Sequence, residues 1–448
     1  MSFYSNELPY SADASAYFSV LADLPWAVWL DSGGIARYDI ITAAPQQTVL
    51  LKPKISCEEP FSLLRGYLGA PLAAVEDIPF AGGALGYWSY DLAKRCVLPA
   101  CPQRDDATPD MAVGIYDWAL LLDHQQQTAK LVSHRRYHET AALLPKLLER
   151  LRQVMSDRPK RVVQNAFRVS GRIASNLTPA SYAEAFSQVR AYLQAGDCYQ
   201  INLAQRFSAT AHGDALEAYL ELRRRSPAPY AAFLNLPQMQ ILCNSPERFL
   251  SVRAGQVETK PIKGTRPRSR DAVRDRRLAD ELRRHPKDRA ENLMIVDLLR
   301  NDLGKNCEPG SVRVPQLFAV ESYANVHHLV STVRGELAAG RDALHLLQGC
   351  FPGGSVTGAP KQRAMQIIEQ LEPDARSIYC GTVGYIGFDG NMDSNIAIRT
   401  LVYSHNTIRC WAGGGIVADS QCEAEYRETL DKASAMLALL QQFGGSVG

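Results

Sequence analysis

Residues 261–265 read Pro-Ile-Lys-Gly-Thr and place one lysine, Lys263, at the centre of a turn. Proline fixes the approach to such a turn, and glycine lets backbone come close to a ligand. An ammonium buried there must be paired, neutralised or used. A Lys-Gly pair by itself reads as a surface turn, so the weight falls on the other residues that gather around this one along the chain.

Acidic groups on core-directed helix faces come first. The stretch from Asp288 to Asp302 has helical spacing, and adding three, four and seven to Glu291 reaches Met294, Ile295 and Leu298. Glu291 therefore heads the stripe expected to face the core. Near the end of the chain Glu425, Glu428 and Lys432 share a face that continues into Met436 and Leu439. Either helix alone reads as ordinary structure; carboxylates on two such faces point to a site. Buried carboxylates must be protonated, paired or metal-bound. Two or three of them plus water suit Mg2+, and no histidine or cysteine cluster offers softer ligands.

Two glycine-rich stretches could approach an anion. Phe351 to Lys361 carries Gly353, Gly354, Ser355, Thr357 and Gly358 ahead of a helix expected to start at Pro360, a cradle at a helix N-terminus. It lacks the Gly-Lys-Ser/Thr of a nucleoside triphosphate loop. Gly413, Gly414 and Gly415 follow an apolar strand and would let backbone meet a carboxylate. No Gly-x-Gly-x-x-Gly opens a β-α-β unit, so a nicotinamide site has no support.

The elements that must position these residues are mixed. Strand-like runs at Trp26–Leu30, Trp118–Leu122, Ile201–Phe207, Gln240–Cys243 and Ile396–Val402 alternate irregularly with helical patterns. The helical patterns include Pro179–Gln194, Lys287–Leu303, Pro360–Leu371 and Cys422–Phe443. That grouping predicts an α+β fold with sizeable antiparallel sheets. A charged connection from Leu151 to Ser175 divides the chain into regions 1–155 and 176–445. Gly83–Tyr87 and Gly381–Tyr385 echo each other and hint at two halves built from related β-units.

Composition sets limits. The 448 residues are 46% hydrophobic with a formal net charge of +2, which implies neither a nucleic-acid nor a membrane partner. The arginines between Arg266 and Arg289 are interleaved with acids and read as a solvated helix face. Ten cysteines without a Cys-x-x-Cys pair, and an N-terminus without a signal pattern, lead us to expect a cytoplasmic protein.

Seven motifs, Pro261–Thr265, Asp288–Asp302, His328–Ser331, Phe351–Lys361, Ile398–Thr400, Ala412–Ile416 and Glu423–Lys432, occur in order. Together they resemble the chorismate-utilising enzymes, the family of anthranilate synthase component I and the isochorismate and salicylate synthases. The likeness covers residues 180–440 strongly and the N-terminal third more weakly. It implies two large packed antiparallel β-sheets with outer helices, and chorismate bound inside with Mg2+. Members that add water carry a lysine where this chain has Gln200, and members that make anthranilate typically have alanine where Lys263 stands. The resemblance therefore implies C4 amination, from chorismate and ammonia to 4-amino-4-deoxychorismate in the 4-aminobenzoate branch of folate synthesis. Anthranilate formation is the alternative.

The same likeness implies roles. Lys263 would attack C2 as the C4 hydroxyl leaves, forcing ammonia to C4. An unperturbed lysine is only about 0.1% neutral near pH 7.4, so burial or a nearby cation, Mg2+ or Arg266, must help it. Glu247 matches the general acid. Glu291 and Glu428 match the Mg2+ ligands, with Glu425 and Asp288 supporting through water. Arg399 and Tyr379 match residues that hold the second carboxylate, aided by the backbone of Gly413, Gly414 and Gly415. Gly264, Thr265 and Lys432 match further substrate contacts, His328 matches a histidine near the reacting ring, and Thr357 joins them from its cradle. Ser32, Ile35, Ala36, Arg37 and Tyr38 lie where the family builds a tryptophan site, with Pro229, Tyr230, Ala231, Ala232 and Phe233. Ser32 follows aspartate, where feedback-inhibited anthranilate synthases tend to have glutamate. No glutaminase signature is found in the sequence, so ammonia is expected from a separate glutamine amidotransferase subunit in a heterodimer, or from solution.

Overall fold

The computed structural model describes residues 3–51, 60–98, 108–157, 165–323 and 326–447. Its logic is visible in single strands. In Ala27–Asp31, Val28 packs into one apolar cluster while Ala27 and Trp29 join another on the opposite face. Leu120, Leu121 and Leu122 divide the same way, as do Leu401 and Val402. A strand apolar on both faces needs cover on both. One cover is a second sheet; the other is a layer of helices that includes Ser15–Leu21, Leu216–Arg225 and Cys422–Gln442.

The larger sheet has 13 strands and the smaller 10. Among the described residues every strand pairing is antiparallel except the short one between Ser446–Val447 and Arg168–Ser175. This is the α+β architecture of two packed sheets expected from the sequence. The division at 1–155 and 176–445 is one of sequence, because both sheets run unbroken across it. In the larger, Ala27–Asp31 pairs with Tyr230–Leu236. In the smaller, Gly83–Trp88 pairs with Thr382–Gly387, so the two echoing segments lie side by side with Gly86 opposite Gly384.

Local signals place most helices well. Pro179–Gln194 begins at a capping box made by Thr178 and Ser181. The helix expected at Lys287–Leu303 runs Pro286–Gly304, with His285 as its cap. The arginine-rich segment contains the helix Ala272–Arg284, where Leu282 alone is buried, a solvated face as expected. One expected strand is corrected: in Ile396–Val402 the pairing starts only at Thr400. The preceding residues turn aside because Ile396 N–H donates to the Glu247 carbonyl and the Ala397 carbonyl is taken by Cys380 N–H. Residues 158–164 of the expected connection, and Cys57 and Cys101, lie outside the described residues. No described helix is long and apolar enough to cross a membrane.

Candidate active site

A cavity of about 600 Å³ opens where the strand Ile262–Pro267, the helix Pro286–Gly304, the strand Thr407–Ile416 and the helix Cys422–Gln442 converge. Lys263 reaches it through a bulge. The register against Val326–Glu336 shifts between Ile262 and Thr265, and Gly264 takes φ +79. A Cβ on Gly264 would lie 2.8 Å from the Asp288 carboxyl carbon and from a Leu282 methyl, so only glycine fits. The Lys263 Nζ has one weak partner, the Ser355 carbonyl at 3.4 Å, and no carboxylate within ion-pair distance among the described residues. Burial lowers its pKa; Glu291 opposes that shift and Lys432 adds to it.

Glu247 sits across the same space and is 6% exposed. Its turn is fixed by Ser245, whose Oγ accepts from Glu247 N–H at 3.2 Å and donates to the Ile396 carbonyl at 2.6 Å. Burial pushes the carboxyl up to about 7, against the pull of Lys263 and of Ser355, whose hydroxyl donates to Oε1 at 3.1 Å. Ser355 thus touches both groups: hydroxyl to the acid, carbonyl to the amine. The cavity joins a carboxyl able to keep its proton near neutrality with an amine biased towards losing one.

Carboxylates gather at one corner. Glu291 flanks the buried stripe of its helix and is half-buried, its pKa raised by burial. Glu425 is buried and accepts from Ser420 at 2.6 Å. Glu428 keeps nearly half its side chain open and pairs with Lys432 at 2.7 Å. Burial raises the Glu428 pKa, and Lys432 together with Lys287 and Lys263 outweighs it, so the net shift is downward. The Lys287 ammonium lies 3.8 Å from Glu291 and 3.7 Å from Glu425. An ammonium on a half-exposed side chain between two carboxylates marks a position that suits a cation with oxygen ligands. Among the described residues no three acidic, histidine or cysteine groups enclose an ion on their own, so a divalent ion here would need water or substrate oxygens as well.

The lining also holds an arginine. Arg399 adopts φ +50 in the irregular segment before Thr400, which turns it to the cavity. Its guanidinium has no protein partner among the described residues, and burial lowers its pKa. His328 is buried, bonds Thr265 Oγ1 at 2.9 Å, and is held down to about 4 by burial and by Arg399. Tyr379 stacks parallel to Trp411 with centroids 6.4 Å apart. Gly413 and Gly415 line the cavity, and Lys432 donates to the Gly413 carbonyl at 3.0 Å. Gly414 is not in the lining itself, and the place of its Cβ lies 3.0 Å from Glu425 and 3.8 Å from Glu428, two carboxylates of the same corner.

Three expectations need correction. Thr357 is fully buried outside the lining, and its hydroxyl donates to the Gly353 carbonyl at 3.1 Å, so it shapes its own turn. Arg266 is held by Glu281 and Asp288 at 2.9 and 3.1 Å, and the side-chain cation that lowers the Lys263 pKa is Lys432 instead. The glycine-rich loop is not a helix-end cradle: it folds into a 3-10 turn, Gly354–Val356, before the helix Lys361–Leu371, and offers Ser355 to Lys263 and Glu247. Sequence reasoning also missed Lys287, although its spacing of four from Glu291 was readable. Trp411 and Asn202 carried no signal.

A second cavity of about 540 Å³ lies between the sheets. Of the ten residues expected at a tryptophan site, Ala36, Arg37, Tyr38, Pro229, Tyr230 and Ala231 line it. Ser32 and Ala232 are buried outside the lining, Ile35 faces solvent, and Phe233 turns to the helical side against Phe18 and Tyr219.

The profile of the chorismate binding enzyme family matches residues 28–438. The chain is 46% identical to aminodeoxychorismate synthase component 1 of Salmonella typhimurium, covering 97% of both chains. It is 39% identical to anthranilate synthase component 1 of Streptomyces coelicolor, covering 92% of this chain and 82% of that one. The crystal structure of anthranilate synthase component I from Streptococcus pneumoniae matches with a TM-score of 0.80 at 31% identity, over 90% of this chain and 92% of that one.

Proposed function

The chain belongs to the family of chorismate binding enzymes, and on that premise we propose that it is an aminodeoxychorismate synthase, converting chorismate and ammonia to 4-amino-4-deoxychorismate and water. The observation that carries the reading is Lys263, a part-buried amine with no carboxylate partner among the described residues, in the same cavity as a carboxyl pushed up to about 7. In this reading the Lys263 nitrogen bonds to C2, both ring double bonds shift along the ring, and the C4–oxygen bond breaks. Glu247 gives its proton to the departing hydroxide, which leaves as water. Ammonia then bonds to C4, both double bonds shift back, and the C2–nitrogen electrons return to Lys263. The proton lost by the incoming nitrogen restores Glu247. Occupation of C2 by lysine is what directs nitrogen to C4.

Arg399, Tyr379 and the backbone at Gly413 and Gly415 would take a carboxylate of the substrate, the counter-ion that Arg399 lacks among the described residues. Glu291 and Glu428, with Glu425 behind them, would hold Mg2+, which supplies a template and Lewis acid for the other carboxylate. Ammonia would come from a separate glutamine amidotransferase subunit. The second cavity would take tryptophan, with Tyr38 and Tyr230 against the indole and its paired charges facing the amino-acid end. Incubating the purified chain with chorismate, Mg2+ and ammonium tests the central reading. The expected product is 4-amino-4-deoxychorismate; anthranilate as the main product would reject it.

A further inference from the structure

Arg376 is the largest charged side chain fully buried among the described residues and lies outside the lining of the catalytic cavity. Its Nε and Nη2 donate to the two Glu372 oxygens at 2.9 and 2.7 Å. Nη1 donates to the Val356 carbonyl at 2.9 Å, and Nη2 also to the Asn202 carbonyl at 2.7 Å. Glu372 in turn accepts from Ala204 N–H at 2.8 Å. The guanidinium lies 5.8 Å from the Tyr379 ring centroid. Asn202, Val356 and Tyr379 all line the cavity, and Val356 follows Ser355, which touches both Lys263 and Glu247.

A buried ion pair adds little net stability over apolar residues of similar volume. What the planar fork with five donors adds is fixed geometry. We propose that Arg376 is a positioning residue that locks the Gly354–Val356 turn onto the strand Gln200–His212, and so holds Ser355 between Lys263 and Glu247. The inference rests on the reading of this cavity as the site of amination. It assigns Arg376 no contact with substrate.

Two variants separate positioning from stability. Arg376→Lys keeps a charge beside Glu372 and loses the fork. The double variant Arg376→Met with Glu372→Met removes the pair without leaving a buried charge. Both are expected to fold with a melting temperature within a few degrees of the parent. Their kcat is expected to fall about 10- to 100-fold, the scale of a misplacement near 1 Å, with KM changed less than about threefold. A second readout needs no turnover: the rate at which trinitrobenzenesulfonate labels Lys263, followed by peptide mass spectrometry, should rise at least about threefold as the turn loosens. Folded variants with unchanged kcat and unchanged labelling would overturn the proposal. Failure of both variants to fold would assign Arg376 to stability alone and overturn it too. If the unmodified protein makes no 4-amino-4-deoxychorismate, the functional reading fails, and the labelling rates alone decide the role of Arg376.

Discussion

Two cavities lie against the same sheets and treat charge in opposite ways. In the one between the sheets, Arg248 forks onto Asp393 at 3.1 and 2.9 Å and reaches Glu258 at 3.0 Å. Arg334 meets Glu258 at 2.8 Å, and Arg253 donates to the Pro79 carbonyl and the Tyr385 hydroxyl. In the other, Arg266 and Lys432 are paired with carboxylates, but Lys263 and Arg399 have no carboxylate partner among the described residues. Glu247 and Arg248 are neighbours in sequence, and each faces a different cavity. Arginines satisfied by the protein reinforce the fold. Cations left unsatisfied are what a twice-negative substrate would complete, and the protein bears the desolvation of those groups until it arrives.

The contrast can be broken by substitution. Lys263→Ala should cost the most, about 10⁴-fold or more in turnover by the scale of lost nucleophiles, and should remove any chorismate-derived adduct seen by mass spectrometry. The same adduct on the variant would reject lysine as nucleophile. Glu247→Gln should lower kcat by about 10²-fold or more. In the parent, kcat/KM should fall as pH rises through about 7, where Glu247 loses its proton, and the glutamine variant should lose that limb. Stability carries the same sign. The folded state binds the Glu247 proton more tightly than the unfolded chain, so the parent loses stability as pH rises from 4.5 towards 7. Thermal melts of the variant should lack this decline.

Arg399→Met should raise KM about 10- to 100-fold, the worth of charge-assisted hydrogen bonds, without lowering the melting temperature, because no protein partner is orphaned. A large fall in stability would show that the guanidinium is structural after all. The smallest effect belongs to the other cavity. Arg253→Met should lose about 1 kcal/mol of stability, measured by denaturant unfolding, for its lost hydrogen bonds, and keep kcat with chorismate.

What the sequence disclosed depended on how local the cause was. The helix Pro179–Gln194 is written in its own cap, and Glu291 and Glu425 in their spacing. Lys263 stood out through its turn, but the bulge that aims it depends on a strand about 60 residues on, beyond the reach of pattern. Glu247 is in a turn with no periodicity, and only family likeness singled it out. Arg399 was hidden inside an expected strand, since nothing local announces a left-handed arginine held by cross-ties from Glu247 and Cys380. Ser355 was noticed for the wrong duty, because its hydroxyl answers to a carboxyl 108 residues away.

The side-by-side placement of Gly83–Trp88 and Thr382–Gly387 has a consequence for birth on the ribosome. The earlier ribbon must wait for a neighbour made roughly 300 residues later, which at about 5–20 residues per second is on the order of 15–60 s. Throughout that interval one of its backbone edges is open to strangers. Nascent chains of this protein should therefore lean on chaperones until translation nears its end.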